Sequence, residues 1–422
     1  MTYADAVRAL YALGNEVRSA RLGLDRIRAV LSRLGDPQTA CRFIHVAGTN
    51  GKGSVCAMIE AGLRAAGVRT GLYTSPHLVE PVERIQIAGQ SIARDDFARA
   101  FLTVHEASLA MLDAREIDMH PTYFETVTAM AFLAFREHQV ETVALEVGLG
   151  GRLDATNVVN PELCVIAAID YDHQNFLGDT IEQIAAEKAG ILKRGVPAVF
   201  SRQKPAAETV LMDRARELNV PVEATNTWGP KDVHLDADGS RFRARDNDVV
   251  CPLAGEHQVE NALTAAVALR QLGFSTAGIA NARWPGRLER VAINPEIILD
   301  GAHNIGGAQA LASWIRHSYN GRRIWIVFGA MSDKNATAGA ALLFPLAHRV
   351  IATAAENVRA LPPDEIRAAA PEGIDVIIAN SVPEAIHRVR EEATNDDAVF
   401  VTGSLYVIGE ARRLLVPGDY VE

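Results

Sequence analysis

Cysteine is scarce: Cys41, Cys56, Cys164 and Cys251 are widely spaced in 422 residues and form no CxxC pair. That spacing argues against a disulfide framework or a structural zinc site and fits a reducing cytoplasm. Positive charge is also in deficit, with 42 Lys and Arg against 52 Asp and Glu and a formal charge of -10. Long-range attraction to nucleic acid or to an anionic membrane is therefore not expected. The amino-terminal stretch MTYADAVRALYALGNEVRSAR has scattered charges and no signal-peptide core. The longest apolar run, near Ala336 to Ala347, falls short of the roughly 20 residues a bilayer span requires. No internal repeat or low-complexity tract is present. These exclusions leave a soluble globular protein, long enough for two or three domains and expected to act as a monomer.

The most informative stretch is Phe43 to Ser54, FIHVAGTNGKGS, which leads into the helix-like SVCAMIEAGLRAAG. A short apolar strand, a glycine-rich turn and a lysine at a helix start form a phosphate cradle. Gly48, Gly51 and Gly53 allow backbone conformations closed to other residues, and Lys52 adds a point charge beside the amides. The match to GxxxxGK[ST] is imperfect. Val46 stands at the first glycine position, and Gly53 separates Lys52 from Ser54.

Strand-like and helix-like segments alternate along the chain, so an α/β fold with a parallel sheet is expected. VRTGLYTS, TVALEV (Thr142 to Val147) and CVIAAID (Cys164 to Asp170) read as strands, and RFRARDNDVVCPL as exposed edge strands. Helical patterning returns from Gln258 to Leu272. Near WPGR (Trp284 to Arg287) the rhythm changes and a second series begins: EIILD, RIWIVFGA, RVIATA, DVIIAN and AVFVTG. The expected organisation is a nucleotide-binding domain over residues 1–283, a linker at 284–287 and a smaller domain over 288–422.

Ser75, Glu146 and His173 fall at or just past strand ends, where ligands gather in such sheets. Glu146 lies inside an apolar run, and a carboxylate there needs a cation or hydrogen bonds to compensate it. A metal ion would supply the compensation, with Ser75 and His173 as further candidate ligands. Lys188, in IAAEKAGI, reads from its helical pattern alone as a solvated lysine.

The blocks HVAGTNGKGS, LYTSPHL, TYFE, LEVGLGGRLDATN, DHQNFLG, EKAGI, WPGRLE, LDGAHN and VTGSLY occur in that order. In sequence and order they resemble folylpolyglutamate synthases and dihydrofolate synthases, members of the Mur ligase superfamily, from about residue 20 to residue 410. The resemblance implies a P-loop domain, a smaller Rossmann-like carboxy-terminal Mur ligase domain, and ATP bound between them. It implies ATP- and Mg²⁺-dependent addition of L-glutamate to dihydropteroate or a reduced folate through an acyl phosphate.

Site roles follow from the same resemblance. Gly48, Thr49, Asn50, Gly51, Lys52, Gly53 and Ser54 match the phosphate loop, while Asn261, Arg287 and Asp300 match further ATP contacts. Ser75 and Glu146 resemble ligands of one Mg²⁺; Glu146, His173 and Lys188 resemble those of a second, with the lysine carbamylated. His303 and Ser404 match positions linked to the incoming glutamate. LGLDRI (Leu22 to Ile27), Thr122, Phe124, Asp154 and Ala155 resemble parts of the pterin pocket. Pro81 and Val82 interrupt the usual aromatic-Asn pair, and Ile305 replaces a common proline after LDGAHN. Both departures bear on substrate detail.

Overall fold

The computed structural model describes residues 1–14 and 23–417; Leu22 of the LGLDRI segment lies outside the described residues. Two compact units emerge: residues 1–232, 242–250 and 260–282 form the first, and 233–241, 251–259 and 283–422 the second. Each has its own sheet.

The first sheet contains β1 (Arg42–Ala47), β2 (Thr70–Tyr73), β3 (Ile85–Ile87), β4 (Gln90–Ser91), β5 (Thr142–Glu146), β6 (Leu163–Ile166), β7 (Ala198–Phe200) and β8 (Val222–Ala224). Their order is β4-β3-β2-β5-β1-β6-β7-β8, and only β3 and β4 run antiparallel to their neighbours. β1 is buried over five of its six residues, as expected of a central parallel strand covered on both faces. The chain order changes direction around β1, which pairs with β5 on one side and β6 on the other. Such a switch point opens a crevice at the carboxyl ends of the strands. The register matters here: Val46 pairs with Glu146 across one edge and with Val165 across the other. Glu146 is thereby placed at the mouth of the turn that follows β1.

Two differences from the sequence reading have local causes. The strand expected over Cys164 to Asp170 ends at Ile166, because the carbonyl of Ala168 turns to accept the amides of Thr49 and Asn50. RFRARDNDVVCPL does not extend the large sheet. It supplies β10 (Gly239–Ala244) and β11 (Asn247–Cys251) of a separate three-stranded sheet completed by β9 (Lys231–Asp236), in the order β11-β10-β9.

The second unit's sheet has the order β12-β13-β17-β14-β15-β16, from β12 (Glu289–Ile293), β13 (Glu296–Leu299), β14 (Ile324–Phe328), β15 (Arg349–Ala352), β16 (Val376–Ile378) and β17 (Ala398–Thr402). The last five are the five apolar runs read from the sequence. β12, which pairs antiparallel with β13 and is interrupted by a bulge, was not legible there. Ile298, Ile326, Phe328, Phe344 and Phe400 are among the residues of this unit's core. Among the described residues no helix is long and apolar enough to cross a membrane.

Candidate active site

The turn after β1 is shaped by two glycines. Gly51 caps the helix Lys52–Ala65 with φ 86°, and a Cβ there would sit 2.1 Å from Asn261 Oδ1. Gly48 has φ 151°, and its Cβ would lie 2.8 Å from that of Ala167. Neither position accommodates a side chain without displacement. Thr49 and Asn50 donate their amides to Ala168 O at 2.8 and 3.1 Å, and the Thr49 hydroxyl donates to Asp170 O at 3.0 Å. Both residues brace the loop. The helix begins at Lys52, so its first turn, with Gly53 and the buried Ser54, follows the loop directly, and a helix start of this kind favours an anion.

Gln203 supports this arrangement, a role for which the sequence offered no signal. Its side-chain amide accepts from Ile169 N at 3.1 Å and donates to Ala167 O at 3.1 Å, which clamps the segment bearing Ala168.

Three ionisable side chains converge beside the loop. Glu146 is 3% exposed; its Oε2 accepts the amide of Ser75 at 3.0 Å, and its Oε1 lies 3.9 Å from Lys52 Nζ. Lys52 Nζ also donates to Thr49 O at 3.3 Å. Lys188 is 4% exposed, contrary to the solvated reading of its helix, and donates to Gly48 O at 2.8 Å. Its helix, Ile181–Ala189, buries Ile181, Ile184, Ala185 and Lys188 together, a spacing that puts the amine on the core face. Burial pulls the Lys188 pKa down to about 7, assisted by Lys52 and opposed by Asp172 and Asp154. An amine that sheds its proton near neutrality is a nucleophile.

His173 caps the one-turn helix Gln174–Leu177 with φ 51°, its amide donating to Asp172 Oδ1 at 2.9 Å. Among the described residues no group of three or more His, Cys, Asp or Glu side chains is arranged to hold a metal. Mg²⁺ does not require one, since it commonly takes one or two carboxylates, waters and substrate phosphates. The buried Glu146 carboxylate beside a phosphate loop fits that donor set.

The residues expected on the acceptor side occupy one neighbourhood. Thr122 caps the helix Tyr123–Glu137 reciprocally with Glu125, and Glu125 also binds Arg26 of the LGLDRI segment at 2.8 Å. The Thr122 hydroxyl therefore serves its helix. Phe124 is half-buried, with its ring centroid 6.2 Å from that of Tyr73. Asp154 is buried and accepts from Leu149 N at 2.8 Å, Thr156 N at 3.0 Å and Thr156 Oγ1 at 2.5 Å. Burial raises its pKa, against the lowering effect of these donors. Ala155, next to it, is buried.

In the second unit, Asp300 follows β13 and is buried. Its carboxylate accepts Leu288 N and Ala302 N, each at 3.0 Å. Burial raises its pKa, and Arg287 with the two amides opposes the rise. A Cβ at Gly301 would fall 2.0 Å from Arg287 Nη1, so a side chain there would displace the guanidinium. His303 Nδ1 donates to Gly301 O at 2.8 Å, which fixes the ring's tautomer. The ring opens on a cleft walled in part by Asn304, Lys334 and Asn335. Ser404 is buried, and its hydroxyl accepts Tyr406 N at 3.2 Å at the start of the helix Leu405–Leu415.

Comparison with known proteins accounts for both units. The Mur ligase middle domain matches residues 46–269, and the Mur ligase glutamate ligase domain matches residues 286–405. The dihydrofolate synthase/folylpolyglutamate synthase of Bacillus subtilis is 36% identical over 411 residues, covering 93% of this chain and 95% of that protein. The Escherichia coli protein of the same description is 32% identical, with 93% and 91% covered. A Mycobacterium tuberculosis folylpolyglutamate synthase structure complexed with ADP and AMPPCP superposes with a TM-score of 0.89 at 32% identity, covering 98% and 99% of the two chains. The chain belongs to the Mur ligases, in the family of dihydrofolate and folylpolyglutamate synthases.

Proposed function

We propose that this enzyme forms an amide between L-glutamate and the carboxylate of dihydropteroate, of a folyl-(poly)glutamate, or of both, driven by ATP. A carboxylate is a poor electrophile at neutral pH. Its oxygen first attacks the γ-phosphorus, forming an acyl phosphate and releasing ADP. The glutamate amine then adds to the acyl carbon, loses a proton, and the tetrahedral adduct expels inorganic phosphate.

This chemistry needs alignment and charge neutralisation more than a protein nucleophile. The observation that carries the reading is the buried Glu146 carboxylate and Lys188 amine beside the glycine loop and Lys52. Lys52 and the first-turn amides hold the β- and γ-phosphates. Ser75 and Glu146, and Glu146 with His173 and Lys188, would hold Mg²⁺. When bound, Mg²⁺ neutralises charge on the phosphates. A neutral Lys188 amine can add carbon dioxide and lose a proton, becoming an anionic oxygen donor; a pKa of about 7 favours that addition. By the family resemblance, Asn261, Arg287 and Asp300 match nucleotide contacts, and His303 and Ser404 match positions linked to the glutamate. A single chain carries both sets of residues, consistent with action as a monomer. The four cysteines form no disulfide, which fits the cytoplasm.

The test is ADP release with dihydropteroate, a reduced monoglutamyl folate or a peptidoglycan precursor, each with and without L-glutamate. Glutamate-dependent release with either pterin acid is expected. Turnover with the peptidoglycan precursor alone would reject the folate assignment.

A further inference from the structure

His45 is a fully buried imidazole in the middle of β1, between Leu145 and Cys164 in register. Its Nε2 lies 2.9 Å from Thr156 Oγ1, and its buried Nδ1 has no hydrogen-bond partner among the described residues. Thr156 gives its one hydroxyl proton to Asp154 Oδ1, so the imidazole must donate to Thr156. Burial lowers the His45 pKa to about 3, in keeping with a neutral ring protonated on Nε2.

The other end of this chain is equally constrained. Asp154 receives the Thr156 hydroxyl and the amides of Thr156 and Leu149, with a further backbone contribution from Gly148. A carboxylate offers about four acceptor sites, so these donors fill it. The carboxylate is thus directed onto the loop Gly148–Gly151. That loop has no spare room on either side. A Cβ at Gly148 would lie 2.4 Å from Phe124 Cζ, and one at Gly151 would lie 2.8 Å from Glu187 O and 3.2 Å from Lys188 Cα.

We propose that His45, Thr156 and Asp154 form a buried positioning relay that fixes the Gly148–Gly151 loop between Phe124 and Lys188, and so sets the acceptor's ring relative to the phosphate loop. The relay rests on the reading of Phe124 as part of the acceptor wall. Its residues touch no reacting atom. They act by holding the loop, which is why a β1 residue distant in sequence from the acceptor segment belongs with it.

Thr156→Val preserves the branched shape but leaves Asp154 Oδ1 and His45 Nε2 without their shared partner; Thr156→Ser keeps the hydroxyl. Steady-state kinetics of both, with Phe124→Ala in parallel, test the relay. In Thr156→Val the acceptor KM should rise about 10-fold or more, the loss expected for a charge-assisted hydrogen bond, while the ATP KM stays within about twofold. Thr156→Ser should restore the acceptor KM. An unchanged acceptor KM in Thr156→Val, or equal rises for ATP and acceptor, would overturn the relay. An unchanged acceptor KM in Phe124→Ala would instead overturn the acceptor-wall reading. If Thr156→Val does not fold, His45→Met leaves Asp154's own donors in place: a selective rise in acceptor KM is expected, and none would refute the proposal.

Discussion

Replacing Lys188 with methionine removes a buried amine and keeps an unbranched stem of similar length. In the folded chain this amine has a pKa of about 7 against an ordinary 10.5, a gap of about 3.5 pH units. At about 1.4 kcal/mol per unit, keeping the amine in the fold costs at most about 5 kcal/mol when the unfolded chain is protonated. The sign follows from proton counting. Between pH 7 and 10.5 the unfolded chain holds a proton that the folded chain lacks, so wild-type stability rises with pH across that window and is flat below it. Lys188→Met has no such dependence. Its stability relative to wild type should therefore grow by about 2–3 kcal/mol on going from about pH 9 to about pH 7. The lost bond to Gly48 O subtracts about 1 kcal/mol at either pH. Urea unfolding of both proteins in carbon-dioxide-free, metal-free and nucleotide-free buffer measures the difference, and the more stable variant should have lost turnover. A stability difference identical at the two pH values would refute the assignment of a neutral, desolvated Lys188.

Three further outcomes follow from the same site. Lys52→Ala should fold but lose about 10²-fold or more in turnover, because one preorganised charge on the phosphates is removed; near-normal ADP release would sink that role. Gly51→Ala should lose about 1–3 kcal/mol of stability at its φ of 86° and raise the ATP KM by displacing Asn261. Unchanged stability and ATP KM would show that the loop tolerates a side chain. Carbon-13 NMR of the metal-loaded enzyme in labelled bicarbonate should show a carbamate signal absent from Lys188→Met; a signal common to both would exclude Lys188 as its source.

Features encoded locally were legible before the structure. The strand, glycine turn and lysine of FIHVAGTNGKGS announce themselves because apolar patterning and glycine requirements act within a dozen residues. The carboxylate of Glu146 was conspicuous because TVALEV is otherwise apolar. His45 gives the same signal within FIHVA, but its meaning depends on Thr156, 111 residues away. Lys188 illustrates the limit from the other side. Helical periodicity cannot separate a solvated lysine from one on the core face, and only the packing of its helix against the loop after β5 and the Gly48 carbonyl decides. The cap role of Thr122 was open to a sequence reading, since Glu125 stands three residues on. β12 escaped notice because an exposed edge strand with a bulge carries little apolar alternation.

In the acyl-phosphate route the acceptor carboxylate is phosphorylated before the amide forms. The direct measurement is a turnover experiment with both carboxylate oxygens of the acceptor labelled with oxygen-18, followed by mass analysis of the inorganic phosphate and the amide product. One labelled oxygen should pass to phosphate and the other remain in the amide carbonyl; released phosphate with no label during productive turnover would contradict the acyl-phosphate route.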